Sequence, residues 1–166
     1  VLAAAPSSKA AVTAANNYKQ GKVYKITPKS KPFKNKYVKA PTYNKKTRTY
    51  FTIRSYMEKF QKAKKGTLVL KKGTYKITNT IQVPSNVTII LEKGAKIVKS
   101  NQTGTKKMKA ATTIFQLIKP SNREKSNIYG GHNGEKNIHF VGKGSNVMDL
   151  KYLKANIAIV MGHNKD

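Results

Sequence analysis

Six carboxylate side chains are available to the chain: Glu58, Glu92, Glu124, Glu135, Asp149 and Asp166. Glycoside hydrolysis needs two carboxyl groups held about 5 to 9.5 Å apart, and no two of these six are adjacent or stand at equivalent places in the strand repeats described below. Calcium-assisted lyase chemistry needs grouped carboxylates beside a Lys or Arg base, and that grouping is missing. His132, His139 and His163 have no helical or paired spacing, and there is no cysteine, so neither a zinc ligand set nor a disulfide is expected. These residues form no catalytic set and imply no metal or cofactor.

The candidates for binding are cationic and aromatic. Lys72, Lys93 and Lys143 each precede a turn glycine, and equivalent lysines on stacked strands would recur roughly every 4.8 Å, a spacing that can follow an acidic glycan. The competing reading is three solvated lysines splayed apart by repulsion. Tyr129 and His132 lie in the segment Tyr129-Gly130-Gly131-His132-Asn133-Gly134, which could contact a sugar but lacks the strand-to-helix setting of a phosphate loop. Between 16 and 49, tyrosines alternate with lysines, as in Lys22-Val23-Tyr24-Lys25-Ile26, a pattern that can stack on sugar rings or bases, or simply pin a linker to its neighbour.

Lysine and arginine number 34 against 6 acidic residues, a net charge of +28 over 166 residues. A chain so charged repels itself and attracts anions over a Debye length. Only Arg48, Arg54 and Arg123 are arginines. Lysine is a hydrated point charge, whereas base edges are read by the arginine fork, so diffuse attraction to an anionic polymer is expected and specific nucleic-acid recognition is not. The longest apolar runs, 1–5 and 157–161, fall far short of the roughly 20 residues of a membrane helix.

Val1-Leu2-Ala3-Ala4-Ala5-Pro6 has the small-residue character of a signal-peptide cleavage region, so 1–15 is read as a signal remnant and flexible tail. That makes the protein secreted or cell-wall associated, and the lack of cysteine agrees with a Gram-positive type of cell. The first fifty residues hold twelve Lys or Arg and no acid. With so little apolar content to offset ordering entropy, 16–49 is read as an extended basic segment with one short strand over 23–26.

From 50 to 166 the pattern is structured. Ile53, Tyr56, Met57, Phe60 and Ala63 share one helical face, predicting a helix over 51–64 stopped by Lys64-Lys65-Gly66. Short Val/Ile/Thr strands follow, punctuated by three similar turns: Leu70-Lys71-Lys72-Gly73, Leu91-Glu92-Lys93-Gly94 and Val141-Gly142-Lys143-Gly144. Each turn links a preceding strand (67–70, 87–91, 138–141) to a following one (74–77, 95–98, 146–150). A third strand (80–83, 114–118, 157–160) completes each unit. Polar stretches at 99–111 and 119–136 absorb the length differences. Asn86, Asn137 and Asn156 each open a strand and can stack as an amide ladder. The expected class is all-β: a right-handed parallel β-helix of three-strand coils with an N-terminal capping α-helix, truncated at its C-terminal end, with an antiparallel sandwich as the alternative.

The stretch Gly66-Thr67-Leu68-Val69-Leu70-Lys71-Lys72-Gly73-Thr74-Tyr75, with Pro84-Ser85-Asn86-Val87-Thr88-Ile89, resembles the start of pectin-lyase-like right-handed β-helix proteins. The resemblance covers roughly 50–160. It implies a polysaccharide hydrolase or lyase for an acidic glycan, with catalytic residues on later coils. The Asn-Thr-Asp, Asp-Asp, Gly-His-Gly and Arg-Ile-Lys motifs of polygalacturonase-type members are absent here; Gly162-His163-Asn164 departs from the third. The reading is therefore the N-terminal portion of a secreted protein acting on polysaccharide. The alternative is a non-catalytic surface protein held to anionic cell-wall polymer by its basic segment. Self-association through an open C-terminal coil is also expected.

Overall fold

Helix formation begins just after a run of polar turns, where the apolar spacing of period 3.6 takes over. In the computed structural model, residues 15–124 and 135–144 are described in full, and 2–3, 147–148 and 157–160 as backbone only. A short helix α1 (Asn35–Val38) precedes the main helix α2 (Arg48–Ala63). Tyr50, Ile53, Met57 and Phe60 recur every three or four positions and are buried, together with Phe51. The helix ends on Lys64, which takes the left-handed conformation at φ 69°. The glycine expected to stop the helix serves another purpose: Gly66 lies in β3 (Gly66–Leu70), where a Cβ would overlap the Phe60 ring.

The strands are β1 (Leu2–Ala3), β2 (Val23–Ile26), β3, β4 (Gly73–Ile77), β5 (Ile81–Gln82), β6 (Val87–Leu91), β7 (Ala95–Lys99), β8 (Phe115–Gln116), β9 (Ile138–Gly142), β10 (Val147–Met148) and β11 (Ile157–Val160). They form three sheets, ordered β11-β9-β6-β3-β2, β1-β10-β7-β4 and β5-β8, parallel throughout except where β1 meets β10. In the five-stranded sheet the register runs Leu68 to Ile89 to Phe140, and Leu70 to Leu91. Like side chains thus stack on like, and with α2 they close a single apolar core. The opposite face of that sheet is covered as well: Val69, Ile90 and Val141 pack with Ala15, Tyr18 and Val23. Burial on both faces explains why β3 and β6 read as continuous apolar runs rather than alternating ones.

Two expectations are corrected here. The class is mixed α/β, with 22% helix and 28% strand, not all-β. The strands are short, lie in separate small sheets, and no sheet is seen to coil into a β-helix. In particular, 157–160 is not a third strand of the last unit. As β11 it pairs directly with β9, Ile157 opposite Ile138, while the two-stranded sheet ends at β8 among the described residues. The physical cause of the misreading is that apolar strands of similar length look alike in sequence, whichever sheet they join.

The basic segment 16–49 is also more than an extended tail. β2 pairs in parallel with β3, Val23 opposite Thr67, and Ile26 and Tyr37 are buried in the main core. Gln20 spans three strands: its backbone carbonyl accepts from Thr67 Oγ1 at 2.7 Å, and its Nε2 donates to Thr88 Oγ1 at 3.0 Å and to the Asn137 carbonyl at 3.1 Å. Asn86 and Asn137, at φ 62° and 58°, form the expected amide contact, Asn137 Nδ2 donating to Asn86 Oδ1 at 2.9 Å. Asn156 lies outside the described residues.

Gly66→Ala tests this packing. Forcing a methyl group against Phe60 should cost about 1–3 kcal/mol, visible as a lower midpoint in denaturant unfolding with an unchanged slope. A variant as stable as the parent would show that the helix does not seat on β3 as described.

Candidate polyanion interface

The three turn lysines do not form a row. Leu70 pairs with Leu91, but Gly73 pairs with Ala95, so the second turn is one residue longer than the first. Backbone bonds carry the register into the turns: Lys71 N–H donates to the Ile26 carbonyl, Glu92 N–H to Leu70, and Lys143 N–H to Leu91. Lys143 is therefore the counterpart of Glu92, whose carboxylate accepts from Lys143 Nζ at 3.2 Å. The Lys143 side chain is only 15% exposed. Lys72 is exposed and its stem lies against Gly94, where an added Cβ would stand 3.0 Å from Lys72 Cγ; Lys93 is exposed. Tyr129 and His132, with Asp149, His163 and Asp166, lie outside the described residues. His139 sits on β9 against Tyr18, ring centroids 4.7 Å apart, and its Nε2 contacts Asn137 Oδ1 at 2.8 Å. Burial lowers its pKa. Among the described residues no group of three or more His, Cys, Asp or Glu could hold a metal, and no helix is long and apolar enough to cross a membrane.

The chain instead brings together a surface of rings and lysines that straddles β2 and α2. On an extended strand residues two apart share a side, which pairs Lys22 with Tyr24. On a helix, positions three, four and seven apart share a face, which gathers Tyr56, Lys59, Phe60 and Ala63. Packing β2 beside α2 joins the two sets. Tyr24 lies 5.3 Å from Tyr56 and 5.9 Å from Phe60 between ring centroids, and Phe33 closes the cluster at 5.8 Å from Tyr56. Lys59 Nζ stands 4.2 Å over the Phe33 ring and 5.6 Å from that of Tyr24, and Lys22 Nζ is 5.2 Å from Tyr24 on its own strand. Beside these rings is a cleft of about 350 Å³ bordered by Lys22, Tyr24, Lys59, Phe60 and Lys65. None of the three lysines is in an ion pair among the described residues. Phe33 remains 46% exposed, the most open large apolar side chain described.

Sequence reasoning noted the Lys-Tyr alternation and the helical face, but it treated them as separate elements. The missing signal was the pairing of β2 with β3, which sets β2 beside the helix that leads into β3.

A second charged cluster is structural. Glu58 lies among Lys36 at 3.7 Å, Arg54 at 3.6 Å and Arg123 at 3.8 Å, and the Tyr37 hydroxyl donates to both of its oxygens. Arg54 also donates to Tyr50 Oη at 2.9 Å, and Arg123 Nε to Gln82 Oε1 at 2.8 Å. One carboxylate thereby ties α1, α2 and the turn after Pro120–Asn122 together. Burial, then the Glu58 hydrogen bond, pushes the Tyr37 phenol up to about 12; burial and the neighbouring Arg54 press Arg123 down.

No known family, no curated protein and no solved structure matches the chain. The resemblance to pectin-lyase-like proteins therefore stands on the quoted motifs alone.

Glu58→Gln should destabilise the protein by about 1–3 kcal/mol, because it strips the charge that three cations share. Added salt should narrow the gap by screening the exposed cations; a variant of parental stability at low salt would show the cluster to be idle. An alkaline titration gives an independent check. Tyr37 is favoured as the neutral phenol in the folded state, so its contribution is intact below the ordinary tyrosine pKa of about 10. It is lost as pH climbs from there through about 12. Tyrosinate absorbance in Tyr37→Phe, compared with the parent, should lose one late-titrating phenol. Loss of an early one instead would contradict the assignment.

Proposed function

We propose that this protein binds an anionic polysaccharide, seating sugar rings on the surface of Tyr24, Phe33 and Tyr56 while Lys22, Lys59 and Lys65 neutralise its acid groups. The observation that carries the reading is a cleft bordered by Tyr24 and three lysines without a carboxylate partner among the described residues, set beside the rings of Phe33 and Tyr56. Rings without cations would fit an apolar partner, and cations without rings would fit any anion. Together they match a ligand that has both a stacking face and a negative charge. The hydroxyls of Tyr24 and Tyr56, which make no hydrogen bond among the described residues, are further donors and acceptors for sugar hydroxyls. Two of the described carboxylates, Glu58 and Glu92, are engaged by cations, which favours a binding role over bond cleavage for these residues.

The test is titration of the full chain with a galacturonate oligosaccharide, followed by calorimetry at several salt concentrations. Affinity should fall as salt rises. Tyr24→Ala and Phe33→Ala should each weaken binding roughly tenfold, the size of one stacking contact, and Lys59→Gln should flatten the salt dependence. Binding that ignores the rings and responds equally to removal of any surface lysine would refute the proposal.

A further inference from the structure

A second cleft, of about 280 Å³, is lined by lysine, hydroxyl and amide side chains together with Pro28, and its chemistry differs from that of the aromatic surface. Lys45 and Lys46 reach it from the loop before α2, Thr49 from the first turn of α2, Thr74 and Lys76 from β4, and Ser100 and Gln102 from the loop after β7, while Pro28 borders it from the segment after β2. Thr74 and Lys76 alternate with buried Tyr75, so both must point away from the core. The loop that carries the first two lysines is held in place. Asn44 Oδ1 accepts the amides of Lys46 and Thr47 at 2.8 and 3.1 Å, and Asn44 Nδ2 donates to the Thr103 carbonyl at 2.8 Å. Across the cleft, Lys46 Nζ donates to Gln102 Oε1 at 3.3 Å. None of the three lysines has an ion pair among the described residues, where every ion pair is made by Glu58 or Glu92.

We infer that this cleft is a second binding site, for a phosphate group. Lys45, Lys46 and Lys76 all border the cleft, and none has a counter-charge among the described residues. A single carboxylate would return only one unit of charge, whereas a phosphate monoester carries about 1.5 to 2. The lysines act as point charges with rotatable donors, which suits a tetrahedral oxyanion. Hydroxyl and amide groups arriving from separate elements supply donors from several directions. No aromatic ring lines the cleft, so it lacks the stacking face of the aromatic surface, and the site is independent of the glycan reading.

The experiment uses the full chain, with inorganic phosphate and a glycerol-phosphate oligomer as probes and calorimetry at low salt as the readout. The triple variant Lys45→Gln, Lys46→Gln, Lys76→Gln should lose roughly tenfold or more in affinity for whichever probe binds, the cost of about 1.4 kcal/mol. A charge-matched control, Lys34→Gln, Lys39→Gln, Lys62→Gln, removes exposed lysines elsewhere and should change affinity by no more than about twofold. Binding of free phosphate alone identifies a small-ion site, and binding of the oligomer alone a polymer phosphate; both support the inference. Amide chemical shifts in the parent protein guard against an unfolded variant: phosphate should move Thr49, Thr74, Lys76 and Ser100 ahead of other residues. Failure of both probes to bind, equal losses in the two triple variants, or shifts spread evenly over the lysines would overturn it. Galacturonate affinity is unchanged in the cleft variant if the two sites are separate, so failure here leaves the glycan proposal untouched.

Discussion

The in-register parallel pairing of β2, β3, β6 and β9 is the constraint on which the rest depends. Once Leu68, Ile89 and Phe140 stack in one column and Leu70 and Leu91 in the next, every connection must return the chain to the same height and phase. A slip by one residue would exchange the two faces, taking the Leu68 column out of the main core and putting the smaller Val69 column in its place. Length variation is consequently confined to the connections, and each strand start needs a device that resets the backbone. Asn86 and Asn137 provide it by taking the left-handed conformation, which Asn tolerates better than most residues, and by joining their amides across strands. Lys64 makes the same left-handed turn before β3.

Charge is the second constraint, and it is met by where the few acids stand. A net charge of +28 opposes compaction, so Glu58 and Glu92 are placed where cations are closest. Glu58 gathers Lys36, Arg54 and Arg123 at the junction of the two helices, and Glu92 meets Lys143 between stacked turns. Most of the other described lysines are exposed, and where they gather without a carboxylate they create attraction for an external anion. The aromatic cleft and the hydroxyl-lined cleft differ in what accompanies the lysines, and that difference sets the chemistry each would select.

The sequence made the local elements readable. The helical face of Ile53, Met57 and Phe60 and the strands read at 67–70, 87–91 and 138–141 all fall within observed elements. What it hid were facts that depend on pairing. The similar Lys-Gly turns invited an alignment of Lys72, Lys93 and Lys143, yet the second turn is one residue longer, so Lys143 stands opposite Glu92. Residues 157–160 could not be assigned to a sheet from their own pattern, since any apolar strand of that length would fit either place. The clear strand runs suggested an all-β class, which the helix content of the structure corrects. In the segment 16–49 only a few residues are apolar, and the strand expected over 23–26 is the one observed. Ile26 and Tyr37 are enough to anchor it once β3 offers an edge with which β2 can pair.

The basic segment is built into the stacked sheet, since β2 both extends the register and carries Lys22 and Tyr24 to the helix. Amide hydrogen exchange on the native protein tests it most directly. The Thr67 and Lys71 amides, which donate to the Lys22 and Ile26 carbonyls, and the amides of β2 itself should exchange as slowly as those of β6. If residues 22–33 exchange as freely as an unfolded chain, with β3 exchanging as an open edge, the register argument fails and the aromatic cleft fails with it.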